Sequence, residues 1–172
     1  YEEKAKPLLA KGVDETGKVI DKDAAFEGQA MQKMAFNEFI KTARIFGRLQ
    51  ERFPDDELAG QAGLRAGHAY FRAARQQDAL TAFLRVIGEE GYDGPNVRSQ
   101  AMYWCGLSYE RSAEPETMEA YQLYRRITFD FPDSKWAKYA RGRLADPAFA
   151  RIIEIEKKER ERLIEALKES RK

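Results

Sequence analysis

Residues 53–83 read FPDDELAGQAGLRAGHAYFRAARQQDALTAF, and this stretch decides the fold. Leu58, Ala62, Ala66, Ala69, Tyr70 and Ala73 recur at steps of three and four, the spacing of one face of an α-helix. A second helix is expected from about Gln77 to Gly88, with Ala79, Ala82, Phe83 and Val86 on one side. Pro54 closes whatever helix precedes it, because it lacks an amide donor and disfavours the α region at Phe53. Asp55 or Asp56 is placed to cap the helix that follows. The stretch therefore reads as two helices joined by a short turn.

The same text returns along the chain. Phe53-Pro54-Asp55 recurs as Phe131-Pro132-Asp133, a separation of 78, or two steps of 39. Gln61, Ala62, Gly67, Tyr70 and Arg72 recur after one such step as Gln100, Ala101, Gly106, Tyr109 and Arg111. After two steps, Leu58-Ala59 and Ala62 return as Trp136-Ala137 and Ala140. The counterpart of the second helix is expected at about Pro115 to Asp130, carrying Ala120, Leu123, Tyr124 and Ile127. Upstream, Thr42, Phe46 and Leu49 supply the matching helix before Phe53. Gly67 and Gly106 stand at equivalent places inside helices, where Gly costs about 1 kcal/mol relative to Ala. Close helix contact is the reading that explains both.

This pattern resembles the tetratricopeptide repeat, a stacked helix pair with small and large residues at fixed offsets. Gly67, Tyr70, Ala79 and Phe83 stand where the family has Gly, Tyr, Ala and an aromatic. Gly106, Tyr109, Ala120, Tyr124 and Pro132 do the same in the next unit, with two extra residues around Ser112–Pro115. The first copy keeps only its later half, in Phe46 and Pro54, and the last keeps only its first helix. The resemblance implies an all-α, solenoid-like array of antiparallel helix pairs over residues 36–146. The period longer than 34 and the aromatic-Pro-Asp junctions are similar to tetratricopeptide proteins of the bacterial cell envelope, namely outer-membrane assembly lipoproteins and the Tol-Pal-associated coordinator. That similarity implies a periplasmic or envelope location, with the cytoplasm as the alternative.

Outside the repeats lie an N-terminal flanking segment, 1–35, and a charged C-terminal helix, 147–172. Residues 13–20 read either as a turn between two extended pieces or as a linker. Ala24, Phe26, Ala30, Met34 and Phe36 suit a helix packed on the first repeat. Residues 88–96 carry Gly-Tyr-Asp-Gly-Pro and read as a loop. At the other end, Asp146 is a natural cap, Pro147 fits a first helical turn, and neither Gly nor Pro follows. Phe149, Ile152, Ile153 and Ile155 are expected to dock on the last repeat. Glu154 with Lys158 and Glu156 with Arg160 lie four apart in the favourable order. Leu163, Ile164 and Leu167 form an apolar stripe suited to a partner helix or a second copy of the chain.

Composition removes most chemistry. Of 172 residues, 30 are Lys or Arg and 29 Asp or Glu, so a net charge of +1 draws the chain to neither nucleic acid nor an anionic membrane. Mean hydropathy is −0.68 and no apolar run is long enough to span a bilayer, so no direct membrane insertion is expected. One Cys and one His exclude a structural disulfide and a Cys/His zinc site. The chain opens at Tyr1 without Met or leader, which suggests a processed or trimmed product. Cys105 falls on the packed face as a small core residue, and His68 reads as a groove-wall or surface residue. The carboxylate pairs Asp55-Asp56 and Glu89-Glu90 belong to caps and loops. No phosphate loop, nucleophile elbow or HExxH is present. No catalytic residue, cofactor or metal is therefore expected. Arg65, Arg72, Arg75 and Arg85 make a short basic strip that does not continue, since Trp104 replaces Arg65 one repeat on.

What remains is a protein or peptide partner. The family's offsets imply a groove wall of Gln61, Leu64, His68, Phe71 and Arg72 in one unit and Gln100, Tyr103, Leu107, Glu110 and Arg111 in the next. Members that clamp a terminal carboxylate carry Lys and Asn at offsets held here by Leu64, His68, Tyr103 and Leu107, so that clamp is absent. The alternative is that the N-terminal segment fills the groove. The function expected is a noncatalytic scaffold or adaptor in an envelope-associated assembly. A structural subunit of a larger complex, or an accessory regulator of a partner enzyme, are the other readings.

Overall fold

The computed structural model describes residues 1–13, 16, 18–19, 21–88 and 94–169, the side chain of Leu167 excepted. These residues are all-α. The helices are α1 (Glu2–Gly12), α2 (Lys22–Arg52), α3 (Ala59–Arg72), α4 (Gln76–Gly88), α5 (Pro95–Glu110), α6 (Thr117–Asp130), α7 (Lys135–Leu144) and α8 (Ala150–Glu169), with a 3-10 turn at Pro147–Phe149. Val13 and Val19 meet in an isolated antiparallel bridge. The chain divides within α4 into two compact units, Tyr1–Arg85 and Val86–Lys172. Most of the 88–96 connection and Glu89-Glu90 lie outside the described residues.

In the first unit, small residues let helices approach closely. A Cβ at Gly12 would lie 2.5 Å from the Ala25 nitrogen, and one at Gly28 would meet Leu9 at 2.8 Å. The helix α2 therefore turns Ala24, Ala25, Gly28, Ala35 and Ala43 inward. This corrects the expected face: Phe26 is 73% exposed, and Met34 and Ala30 point outward too, because only a small-residue stripe admits α1. Residue 36, expected to begin the array, falls inside the unbroken α2. The helix α3 packs between α2 and α4. At its contact with α4, a Cβ on Gly67 would lie 2.4 Å from the ring of Phe83, which is fully buried.

The second unit repeats this contact. A Cβ on Gly106 of α5 would lie 2.7 Å from the ring of Tyr124 on α6, also fully buried. The junctions repeat as well. The Phe53 N–H donates to the Leu49 carbonyl, and Phe53 accepts from Asp56. Equivalently, the Phe131 N–H donates to Ile127 and Phe131 accepts from Ser134. The two phenylalanines share nearly the same backbone angles, φ −134°, ψ 60° and φ −133°, ψ 54°. The two extra residues of the second unit are absorbed in its turn. Ser112 Oγ donates to the carbonyls of Tyr109 and Glu114, and Glu116 N–H donates to Tyr109, so α6 begins at Thr117 and not at Pro115.

Capping follows the sequence reading at Asp146 and departs from it at Asp55-Asp56. Ser134 accepts from Ala137 N–H to start α7, and Asp146 accepts from Ala148 N–H ahead of α8. Asp56 instead accepts from Leu58, one residue before α3, which begins without a side-chain cap. The turn from α3 to α4 is a Schellman motif, with Arg75 N–H donating to Tyr70 and Ala74 N–H to Phe71. Its left-handed position is held by Ala74 at φ 56°. A Cβ there costs roughly 1 kcal/mol. Ala74→Gly should therefore raise stability by about 0.5–1 kcal/mol, read as a higher urea midpoint; an unchanged or lower midpoint would contradict the assignment.

Candidate functional site

The wall residues implied by the repeat divide sharply by burial. On α3, Leu64 is 7% exposed and Phe71 8%, so both belong to the core of the first unit. The reason is composition: Gly60, Gly63, Gly67 and the alanines of α3 let neighbours close around most of its circumference. Gln61 and Arg72 stay exposed. The Arg72 guanidinium pairs with Glu2 of α1 and lies 4.2 Å over the Phe39 ring of α2. The N-terminal segment thus reaches the outer end of this wall.

His68 is tucked against Phe83, ring centroids 5.6 Å apart and edge-on, so it is an interhelical residue more than a surface one. Burial, with a smaller contribution from Arg65, pushes its pKa down to about 4. An unfolded chain would then bind a proton that the fold refuses between about pH 6.5 and pH 4, so stability falls as pH falls through that window. The loss should reach about 1–2 kcal/mol by pH 5. His68→Gln should flatten this part of the profile in urea melts at pH 7.5 and 5.0, and an equal pH dependence in both proteins would contradict it. Cys105 is fully buried, and burial pushes its thiol up to about 12, which is the opposite of an activated nucleophile.

On α5, Gln100, Tyr103, Leu107 and Glu110 are half-buried and Arg111 is exposed. Tyr103 joins an aromatic cluster, its ring centroid 5.3 Å from Trp136, 5.9 Å from Tyr139 and 5.7 Å from Tyr124. Burial raises the Tyr103 phenol above its ordinary value. Lys135 sits 5.0 Å over the Trp136 ring. Tyr139 is half exposed, so the cluster has a surface edge that the spacing of α5 alone did not disclose. Tyr139 escaped the sequence reading because the other two copies of the repeat carry Gln61 and Gln100 at its position.

Glu110 is committed inside the fold. Its Oε1 accepts from Tyr124 Oη at 2.5 Å and from Arg143 Nε at 3.2 Å, while Arg143 Nη2 donates to Oε2. That bidentate pair raises the pKa of Arg143. The four arginines of the basic strip are engaged too: Arg72 with Glu2, Arg75 with Asp78, Arg85 with Glu51, and Arg65 5.7 Å over Phe46.

The helix α8 departs from its expected docking. Phe149 is fully buried, 6.0 Å from both Tyr121 and Tyr124, and Ile152 is half-buried, but Ile153 and Ile155 are exposed. Glu154 and Lys158 pair at 3.3 Å as their spacing predicts. Glu156 turns away from Arg160, its Oε2 accepting from Tyr121 Oη at 2.7 Å and from Arg125 of α6. Leu163 and Ile164 are exposed, and the side chain of Leu167 lies outside the described residues.

Among the described residues no group of His, Cys, Asp and Glu is placed to hold a metal ion, and no helix is long and apolar enough to cross a membrane. The surface that offers chemistry is thus the aromatic edge of α5 and α7 and the free length of α8. No protein-family model, no curated protein and no solved structure matches the chain.

Proposed function

We propose that the chain is a tetratricopeptide-like scaffold, a small α-solenoid that binds a protein or peptide partner and carries out no chemistry of its own. The observation that supports this best is the repeated interlock of Gly67 with Phe83 and of Gly106 with Tyr124, since stacked helix pairs of this kind serve as binding surfaces. The partner-reading residues are Gln100, Tyr103 and Leu107 on α5 with Tyr139 beside them. Half-exposed aromatics with an amide donor suit an extended peptide held by stacking and hydrogen bonds. An envelope-associated assembly is the proposed setting, on the strength of the repeat's likeness alone.

Affinity capture with residue-specific photo-crosslinking from the native source tests the reading. Crosslinks from positions 100 and 139 to one recurring protein, lost on adding excess of the peptide segment so identified, would support it. Recovery of crosslinks only elsewhere on the chain, or of none, would overturn the surface assignment.

A further inference from the structure

The face of α8 that begins by docking on α6 continues past it. Taking 100° per residue, Ile152, Ile153, Glu156, Arg160, Leu163 and Ile164 project within roughly 60° of one line along the helix. Ile153 is 41% exposed, Ile164 42% and Leu163 66%. Between this face and α6 and α7 runs a groove of about 630 Å³ whose apolar lining is Tyr121, Leu144, Ile153 and Leu163. Its charged lining includes Arg125, Lys157, Glu159 and Arg160.

The order of residues on this face is self-complementary when reversed. Two copies of α8 laid antiparallel about a two-fold axis at Lys158 bring Ile152 against Ile164, Ile153 against Leu163, and Glu156 against Arg160. On the flanks, Lys157 comes beside Glu159. Every facing pair is apolar with apolar or acid with base. Lys158 itself projects from the opposite side, where it pairs with Glu154 of its own chain. A parallel, in-register pairing would instead set Glu156 beside Glu156 and Arg160 beside Arg160, which is repulsive. Within one chain Glu156 is drawn to Tyr121 and Arg125, so the helix does not satisfy Arg160 through the i,i+4 pair its sequence offers. A two-fold interface is isologous, and a surface that complements itself on reversal is what it requires.

We infer that the occupant of this face is a second copy of the same chain, the two α8 helices pairing antiparallel through Ile153, Glu156, Arg160 and Leu163. The charge order fixes both direction and register. This pairing is independent of the partner-reading surface on α5, so either can fail alone.

Sedimentation velocity of the full chain from low to high micromolar concentration should show a monomer passing to a dimer. Leu163→Asp, at a position too exposed to carry the fold, should weaken association about tenfold or more. Register is read by oxidative crosslinking: Ile153→Cys and Leu163→Cys chains should form a disulfide with each other when mixed, and neither with itself, the native Cys105 being buried. Lys157→Glu and Glu159→Lys chains should each associate weakly alone and regain dimer when mixed. A monomer at every concentration, a dimer indifferent to Leu163→Asp, or disulfides formed within each single variant would overturn the inference.

Discussion

Gly67→Ala should lower stability by about 1–2 kcal/mol, although the substitution removes a glycine from the middle of a helix. In an exposed helix the same exchange gains about 1 kcal/mol of propensity. Here the new methyl would lie 2.4 Å from Phe83 Cε1 and 2.6 Å from Cδ1, and that ring is fully buried with His68 against its edge. Something must shift, and overpacking of this kind costs about 1–3 kcal/mol, enough to reverse the sign. Gly47, on α2, has nothing within 4 Å of its Cβ direction, so Gly47→Ala should stabilise by up to about 1 kcal/mol. Phe83→Leu withdraws the ring edge at a cost of about 1 kcal/mol or more. In the double variant the methyl enters the space the ring has left, so the two losses should fall short of their sum by about 1 kcal/mol. Urea denaturation of the four proteins measures the cycle. A Gly67→Ala protein as stable as its parent would sink the interlock.

That interlock was legible beforehand because it rests on a periodicity. Two glycines 39 residues apart, each followed by an aromatic on the next helix, are informative where a single glycine is not. The aromatic-Pro-Asp junctions were legible for the same reason, since proline and a fixed spacing constrain the backbone directly. The face of α2 was not. Its sequence offers large residues, Phe26 and Met34, at helical spacing and small ones, Ala24, Ala25 and Gly28, at another, and hydrophobicity alone favours the first set. Closeness of approach decided for the second, because Gly12 and Gly28 remove the side chains that would hold α1 away.

Two residues of the candidate wall on α3 are buried for a related reason. Offsets say which direction a residue faces but not whether something covers that direction. Leu64 and Phe71, which the offsets place on the wall, are covered. On α8 the i,i+4 rule served Glu154 and Lys158, where both partners are exposed. It failed for Glu156, because a buried-edge tyrosine and Arg125 from α6 offer a better-placed pair of donors than one flexible Arg160 in water.

Glu110 carries the second large effect, and here a binding role and a structural role make opposite forecasts. As a groove residue, Glu110→Ala would weaken a partner and leave the fold alone. As the structure has it, Glu110 ties α5 to α6 through the hydroxyl of Tyr124 and to α7 through both donors of Arg143. Tyr124 is fully buried, so removing its acceptor strands a hydroxyl in the core at about 1–3 kcal/mol. Arg143 is about one-third exposed and recovers part of its solvation, which keeps its share well below that of a fully buried ion pair. The expected loss is therefore about 2–3 kcal/mol in urea denaturation. Tyr124→Phe removes the hydroxyl and leaves the Arg143 pair, so it should cost about 1 kcal/mol, and adding Glu110→Ala to it should then cost less than in the parent. Arg143→Lys keeps the charge but loses the bidentate fork, with a cost of about 1 kcal/mol. If Glu110→Ala melts within about 0.5 kcal/mol of the parent, the network holds nothing together and the residue returns to the surface as a candidate for binding.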